Sequence, residues 1–108
     1  MKVYTDADNA QFCAMMAAVL VRVESKKLVL MMDEKKNLTG SAGGIKVRLL
    51  RDTKGAYGFQ IWTPEGTTYV ACYDSVLKKA WESIYGAAMV QQVELAKRFV
   101  VVLEELDR

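Results

Sequence analysis

Lys46, Arg48, Gln60 and Trp62 are the side chains with the most legible chemistry in this sequence. Two cations attract phosphates, an amide can both give and accept a hydrogen bond at a base edge, and an indole offers a stacking surface. The four residues acquire that meaning only if they share a surface. Residues 45–73 alternate in a way that puts them on one pleated face, with Thr68 beyond, and a sheet face can enter a DNA groove or serve as a stacking platform. Two plainer readings compete: Lys46 and Arg48 lie over Trp62 as cation–π cover, or the N-terminal helix buries the whole face. A second group, Tyr57, Tyr69, Tyr73 and Trp81, could wall a cavity for a small apolar ligand, helped by Met15, Met16 and Met89. The same residues also suit a filled core.

Other chemistries are excluded or unsupported. The chain has no histidine, which removes a histidine base, a Ser-His or Cys-His pair and histidine metal sites. Cys13 and Cys72 are the two cysteines; both have apolar neighbours and read as small buried hydrophobes, and unpaired thiols fit a reducing compartment. The adjacent acids Asp33-Glu34 and Glu104-Glu105 point apart on any regular element, so neither is an acid/base pair. Gly40-Ser41-Ala42-Gly43-Gly44 lacks the Gly-Lys-Ser/Thr ending and following helix of a phosphate loop, and reads as a flexible connector. The expectation is no catalytic, metal or cofactor site and a protein that is not an enzyme.

The elements that must position these residues fit one domain spanning 1–108. A chain of 108 residues with 52% apolar content can bury a core unaided. The net charge of +2 is too small to specify a partner. The apolar run at residues 12–21 is too short for a membrane span and follows Asp6 and Asp8, so no signal peptide is read there. A cytoplasmic protein without membrane association is expected.

A helix capped by Thr5, Asp6 or Asp8 is predicted to run to about Ser25. Phe12, Met16, Val19 and Val23 form its packing seam, and Ala10, Ala14, Ala17, Ala18 and Val21 its back, so another backbone should approach there. Residues 28–32 are ambiguous between a buried strand and more helix, with a break near Ser25 preferred. Residues 37–44 read as a loop.

Residues 45–73 predict a three-stranded antiparallel meander. Turns at Asp52-Thr53-Lys54-Gly55 and Thr63-Pro64-Glu65-Gly66, each with a three-residue loop, set Val47 opposite Ile61, Leu49 opposite Phe59, and Ile61 opposite Tyr69. The core face then carries Ile45, Val47, Leu49, Tyr57, Phe59, Ile61, Tyr69, Ala71 and Tyr73. The mixed face carries Lys46, Arg48, Leu50, Gly58, Gln60, Trp62, Thr68, Val70 and Cys72. A one-residue slip at Pro64 would exchange the faces of the third strand. Meander, Tyr73-Asp74-Ser75 and a helix with Ala80 together loosely resemble the three-stranded DNA-binding domains of the AP2 and integrase-arm type. That likeness implies DNA contact through the sheet, and is carried by turns and a cap that many folds share.

Asp74 or Ser75 caps a helix ending or kinking at Gly86, and a last helix covers residues 87–106, with a strand at 99–103 as the rival reading. The fold class is therefore α+β, with a long N-terminal helix, the three-stranded meander and two C-terminal helices. Met89, Val93, Val100 and Leu103 form one heptad-spaced row of the last helix, beside a second row with Leu95 and Phe99. With Ala14 and Ala18 they offer more apolar surface than one small sheet covers, so a homodimer or higher homo-oligomer is expected. The leading expectation is a self-associating binding or accessory protein. Nucleic-acid binding and small-ligand binding are the alternatives.

Overall fold

The computed structural model describes residues 4–51 and 54–107. Helix α1 (Asp6–Glu24) is followed by strands β1 (Met31–Met32), β2 (Leu38–Ala42), β3 (Ile45–Arg51), β4 (Tyr57–Thr63) and β5 (Gly66–Ala71), and then by helix α2 (Ser75–Leu106). The strands form one antiparallel meander in sequence order. The α+β class with an antiparallel sheet stands, but among the described residues the sheet has five strands and there are two helices, one of them C-terminal. Among the described residues no helix is long and apolar enough to cross a membrane.

Local signals fix the helix starts. The Thr5 side chain accepts from the Asp8 backbone N–H while the Asp8 carboxylate accepts from that of Thr5, a reciprocal capping box. Asp74 accepts from the N–H of Leu77 and opens α2. The side chain of Asn9 donates to Asp74 at 2.7 Å, so the two helices begin side by side and run parallel.

Two sequence expectations fail for reasons of local geometry. Residues 38–42 are strand rather than connector, because Gly43 and Gly44 both take positive φ and close a two-residue hairpin pairing Ala42 with Ile45. The helix also does not end at Gly86. Leu77, Trp81, Ile84, Ala88 and Gln91 are buried on either side of it, and this seam carries the helix through a residue whose weak propensity costs only about 1 kcal/mol. A Cβ at Gly86 would meet nothing within 4 Å. Gly86→Ala is accordingly expected to stabilise the fold by up to about 1 kcal/mol. A thermal midpoint that stays put or falls would contradict a continuous helix there.

The β3–β4 register agrees with the expectation, with Leu49 opposite Phe59 and Val47 opposite Ile61. The Asp52–Ala56 closure expected for that hairpin lies partly outside the described residues. At the next hairpin Thr63 pairs with Gly66, not Thr67. Pro64 and Glu65 alone form the loop, the Glu65 N–H bonds to the Thr63 hydroxyl, and Gly66 sits at φ +143° as a paired strand residue. This one-residue slip turns Val70 into the core and Tyr69 out of it.

Both helices cover one face of the sheet. Leu38, Leu49, Phe59 and Val70 form a buried row across four strands, and Met16, Val19, Val23, Leu77, Trp81 and Ile84 close over it from the helices. Between the layers, Leu28 and Leu30 are fully buried. The break near Ser25 is real: Ser25 caps α1 and Lys26 takes a left-handed φ of 66°. Residues 28–30 then run irregularly before the short pairing of Met31 and Met32 with β2.

Candidate functional site

The face of the sheet turned away from the helices is open. Antiparallel pairing places Ser41, Lys46, Trp62 and Thr67 in one row across β2–β5 and Thr39, Arg48, Gln60 and Tyr69 in the next. Lys46, Ser41, Thr67 and Tyr69 are exposed, and Arg48, Gln60 and Trp62 are half-buried. No helix lies over them, so the reading in which α1 buries this face is overturned. Thr68, Val70 and Cys72 are not part of it: Val70 and Cys72 are buried, and Thr68 shares the pleat of Ile61.

Lys46, Arg48, Gln60 and Trp62 do share one surface. The Lys46 ammonium lies 5.0 Å and the Arg48 guanidinium 5.4 Å from the Trp62 ring centroid, so one indole carries two cations. The Arg48 Nε is buried without an acceptor among the described residues. The strands β2–β5 contain Lys46, Arg48 and Arg51 and no Asp or Glu; Lys46 and Arg48 lie on this face and Arg51 on the opposite one, and Asp33 and Glu34 line a hollow beside Arg48. Gly58 adds a further feature. A Cβ there would lie 2.6 Å from the Tyr69 hydroxyl, so the Tyr69 ring rests across a glycine on this face.

Of the four aromatic residues suggested as a ligand wall, Tyr57 and Trp81 come together and Tyr69 and Tyr73 lie elsewhere. Tyr57 and Trp81 stack at 4.5 Å, and Tyr85 continues the stack at 5.3 Å from Trp81. Trp81 is pinned by its indole N–H to the Gly58 carbonyl. Tyr69 faces the opposite side of the sheet and Tyr73 is half exposed beyond β5, contrary to their expected place on the core face. A cleft of about 320 Å³ does open beside the stack, lined by Trp81, Tyr85, Met32, Lys35, Lys36 and Arg51 among others.

The distal part of α2 projects past the end of α1. Phe99, Val100, Val101, Val102, Leu103 and Leu106 are between 51% and 74% exposed, and Val93 is similarly open. Residues 99–103 are helical, not strand. Met89 packs against the core and Leu95 is half-buried, so these two sit at the root of the projection. Ala14 and Ala18 are exposed on α1, along with Val21; among the described residues no second backbone covers that side.

Gln91 was missed by sequence reasoning. It is 5% exposed and binds three backbone groups: its Nε2 donates to the carbonyls of Val23 (2.6 Å) and Leu28 (2.8 Å), and its Oε1 accepts from the N–H of Leu30. Gln92 donates to the Leu30 carbonyl. The signal was present in the spacing, because residues 77, 81, 84, 88 and 91 step by +4 and +3, and the last is a polar residue in a core position. Nearby, Lys26 and Glu94 form a half-exposed ion pair at 2.6 Å, and the Lys26 hydrogen bond holds the Glu94 carboxyl below its usual range.

Cys72 is buried, and burial first, then Asp74 and Cys13, pushes its thiol up to about 12. It is therefore protonated at neutral pH and a poor nucleophile. No family model, curated protein or solved structure matches this chain.

Proposed function

We propose that this protein is a non-enzymatic, self-associating binding protein whose copies join through the distal half of α2. The observation that carries this reading is the exposure of six large apolar side chains within residues 99–106. A solvated helical end of this length is marginal on its own, and Val-Val-Val is poor in intrinsic helix propensity. Burial of the apolar side chains against a partner supplies what propensity does not, at about 25 cal/mol per Å².

The sequence of the projection favours a second copy as that partner. Lys97 and Arg98 precede the apolar segment, and Glu104 and Glu105 follow it. An antiparallel two-fold pairing centred on Val101 would set each basic pair beside the acidic pair of the other copy and bring Phe99 against Leu103. A parallel pairing would set like charges together. Isologous contact of this kind closes at two subunits.

Sedimentation equilibrium tests the reading. The native chain is expected at twice its 12.1 kDa, and the double variant Val100→Glu, Leu103→Glu at the single-chain mass. The substituted positions lie beyond the core, so near-ultraviolet dichroism of the aromatic stack should be unaltered. A native protein that sediments as one chain at micromolar concentration rejects the proposal, as does a variant that keeps the native mass.

A further inference from the structure

We infer that the open face of the sheet binds single-stranded nucleic acid, with Trp62 as the stacking ring and Lys46 and Arg48 as the phosphate contacts. The inference stands on the sheet alone and holds whether or not α2 joins two copies.

Three observations converge. The open face of β2–β5 presents the cations Lys46 and Arg48 and no carboxylate of its own strands, with Asp33 and Glu34 of the preceding turn at its Arg48 end, so its Lys46–Trp62 part is the part complementary to a polyanion. The face also carries two aromatic rings on neighbouring strands, Trp62 and Tyr69. Since Tyr69 pairs with Gln60, the rings are diagonal neighbours with the Gln60 amide between them, and that amide can donate to and accept from a base edge. Finally, nothing from either helix covers the face, while Arg48 keeps a buried Nε–H without an acceptor among the described residues.

The dimensions favour a single strand over a duplex. A major groove of about 12 Å admits a helix or a two-stranded ribbon. Five strands spaced about 4.8 Å apart make a slab roughly 19 Å wide, which cannot enter it. Unpaired bases can instead lie on the slab, because each has a π-face for an aromatic ring.

In the free protein the two cations occupy the Trp62 ring. Exposed cation–π contacts are worth about 0.5–1 kcal/mol, less than the roughly 1–3 kcal/mol of a base stacked on an aromatic side chain. An arriving strand can therefore exchange one for the other. The cations swing to flanking phosphates, the indole is uncovered and a base takes their place. The exchange gives both side chains a role in the free and the bound state.

The test is fluorescence anisotropy of labelled thymidine and uridine oligonucleotides of about 12 nucleotides, a length within the usual site sizes, against a duplex of the same length. Either single strand should bind more tightly than the duplex, and the ratio between the two strands identifies DNA or RNA. Trp62→Ala should weaken binding about 5- to 160-fold. Lys46→Ala with Arg48→Ala should make the log–log salt slope shallower by about 1.4, two contacts at about 0.7 each. Lys46 is exposed and the half-buried Arg48 Nε gives up no hydrogen bond, so circular dichroism should show the double variant folded even if Trp62→Ala proves unstable. Absence of binding by both single strands at low salt overturns the inference. So does equal affinity for duplex, or a double variant with the native salt slope.

Discussion

Gln91→Ala is expected to destabilise the fold by about 3–5 kcal/mol, a large share of the total for a domain of this size. The side chain is buried and satisfies the carbonyls of Val23 and Leu28 and the N–H of Leu30. Removing it leaves the Leu28 carbonyl and the Leu30 N–H without these bonds in a buried place, at about 1–3 kcal/mol for each group left unpaired, while the Val23 carbonyl keeps the Lys26 N–H. Past the α1 C-terminus the N–H groups of residues 25–28 bond back to the last turn of the helix, but the Leu28 carbonyl and both Leu30 backbone groups rely on Gln91 and Gln92. Urea titration should show the midpoint falling with little change in slope. A loss below 1 kcal/mol would mean the connector finds other partners.

Gln91→Glu separates hydrogen bonding from size. An ionised carboxylate cannot donate to the two carbonyls, and burial beside them raises its folded-state pKa. The unfolded chain then holds the ionised form more readily, so the variant is least stable at pH above that raised pKa. Its deficit shrinks as pH falls through the raised value and the protonated group regains one donor. A deficit independent of pH would contradict the donor role.

Gly40→Ala is the second large effect, expected at about 3 kcal/mol or more. A Cβ at Gly40 would lie 2.1 Å from the Val29 carbonyl oxygen and 3.0 Å from its carbon. Those are backbone atoms of the same connector that Gln91 and Gln92 hold from the other side. It is gripped between α2 and β2 and cannot yield without releasing Leu28 and Leu30 from the core. Chemical denaturation of the alanine variant gives the cost directly, and a native-like midpoint would show that the connector has room to shift. The two substitutions act on one strip of backbone from opposite faces, so their effects should fall short of additive.

The sequence alone determined whatever depends on neighbours a few residues apart. Thr5 and Asp74 mark helix starts because a side-chain oxygen three residues upstream satisfies a backbone N–H. The β3–β4 pairing follows from alternation and one turn, and so Lys46, Arg48, Gln60 and Trp62 could be assigned to a common face. The apolar rows of α2 were also legible, though not that they form one helix with residues 75–86.

Tertiary structure decided what local preference left balanced. Gly86 can end a helix or sit inside one, and the burial of residues on both sides settles it. Leu38–Ala42 has little strand propensity, yet β3 offers it a complete ladder. Thr63-Pro64-Glu65-Gly66 permits two closures one residue apart, and placing Val70 rather than Tyr69 among Leu38, Leu49 and Phe59 selects the register. Residues 28–30 look like a strand but belong to none, because the Leu28 carbonyl and both Leu30 backbone groups are satisfied by amides more than 60 positions away. Such a contact leaves no periodic trace in its own segment; only the fold brings the two together.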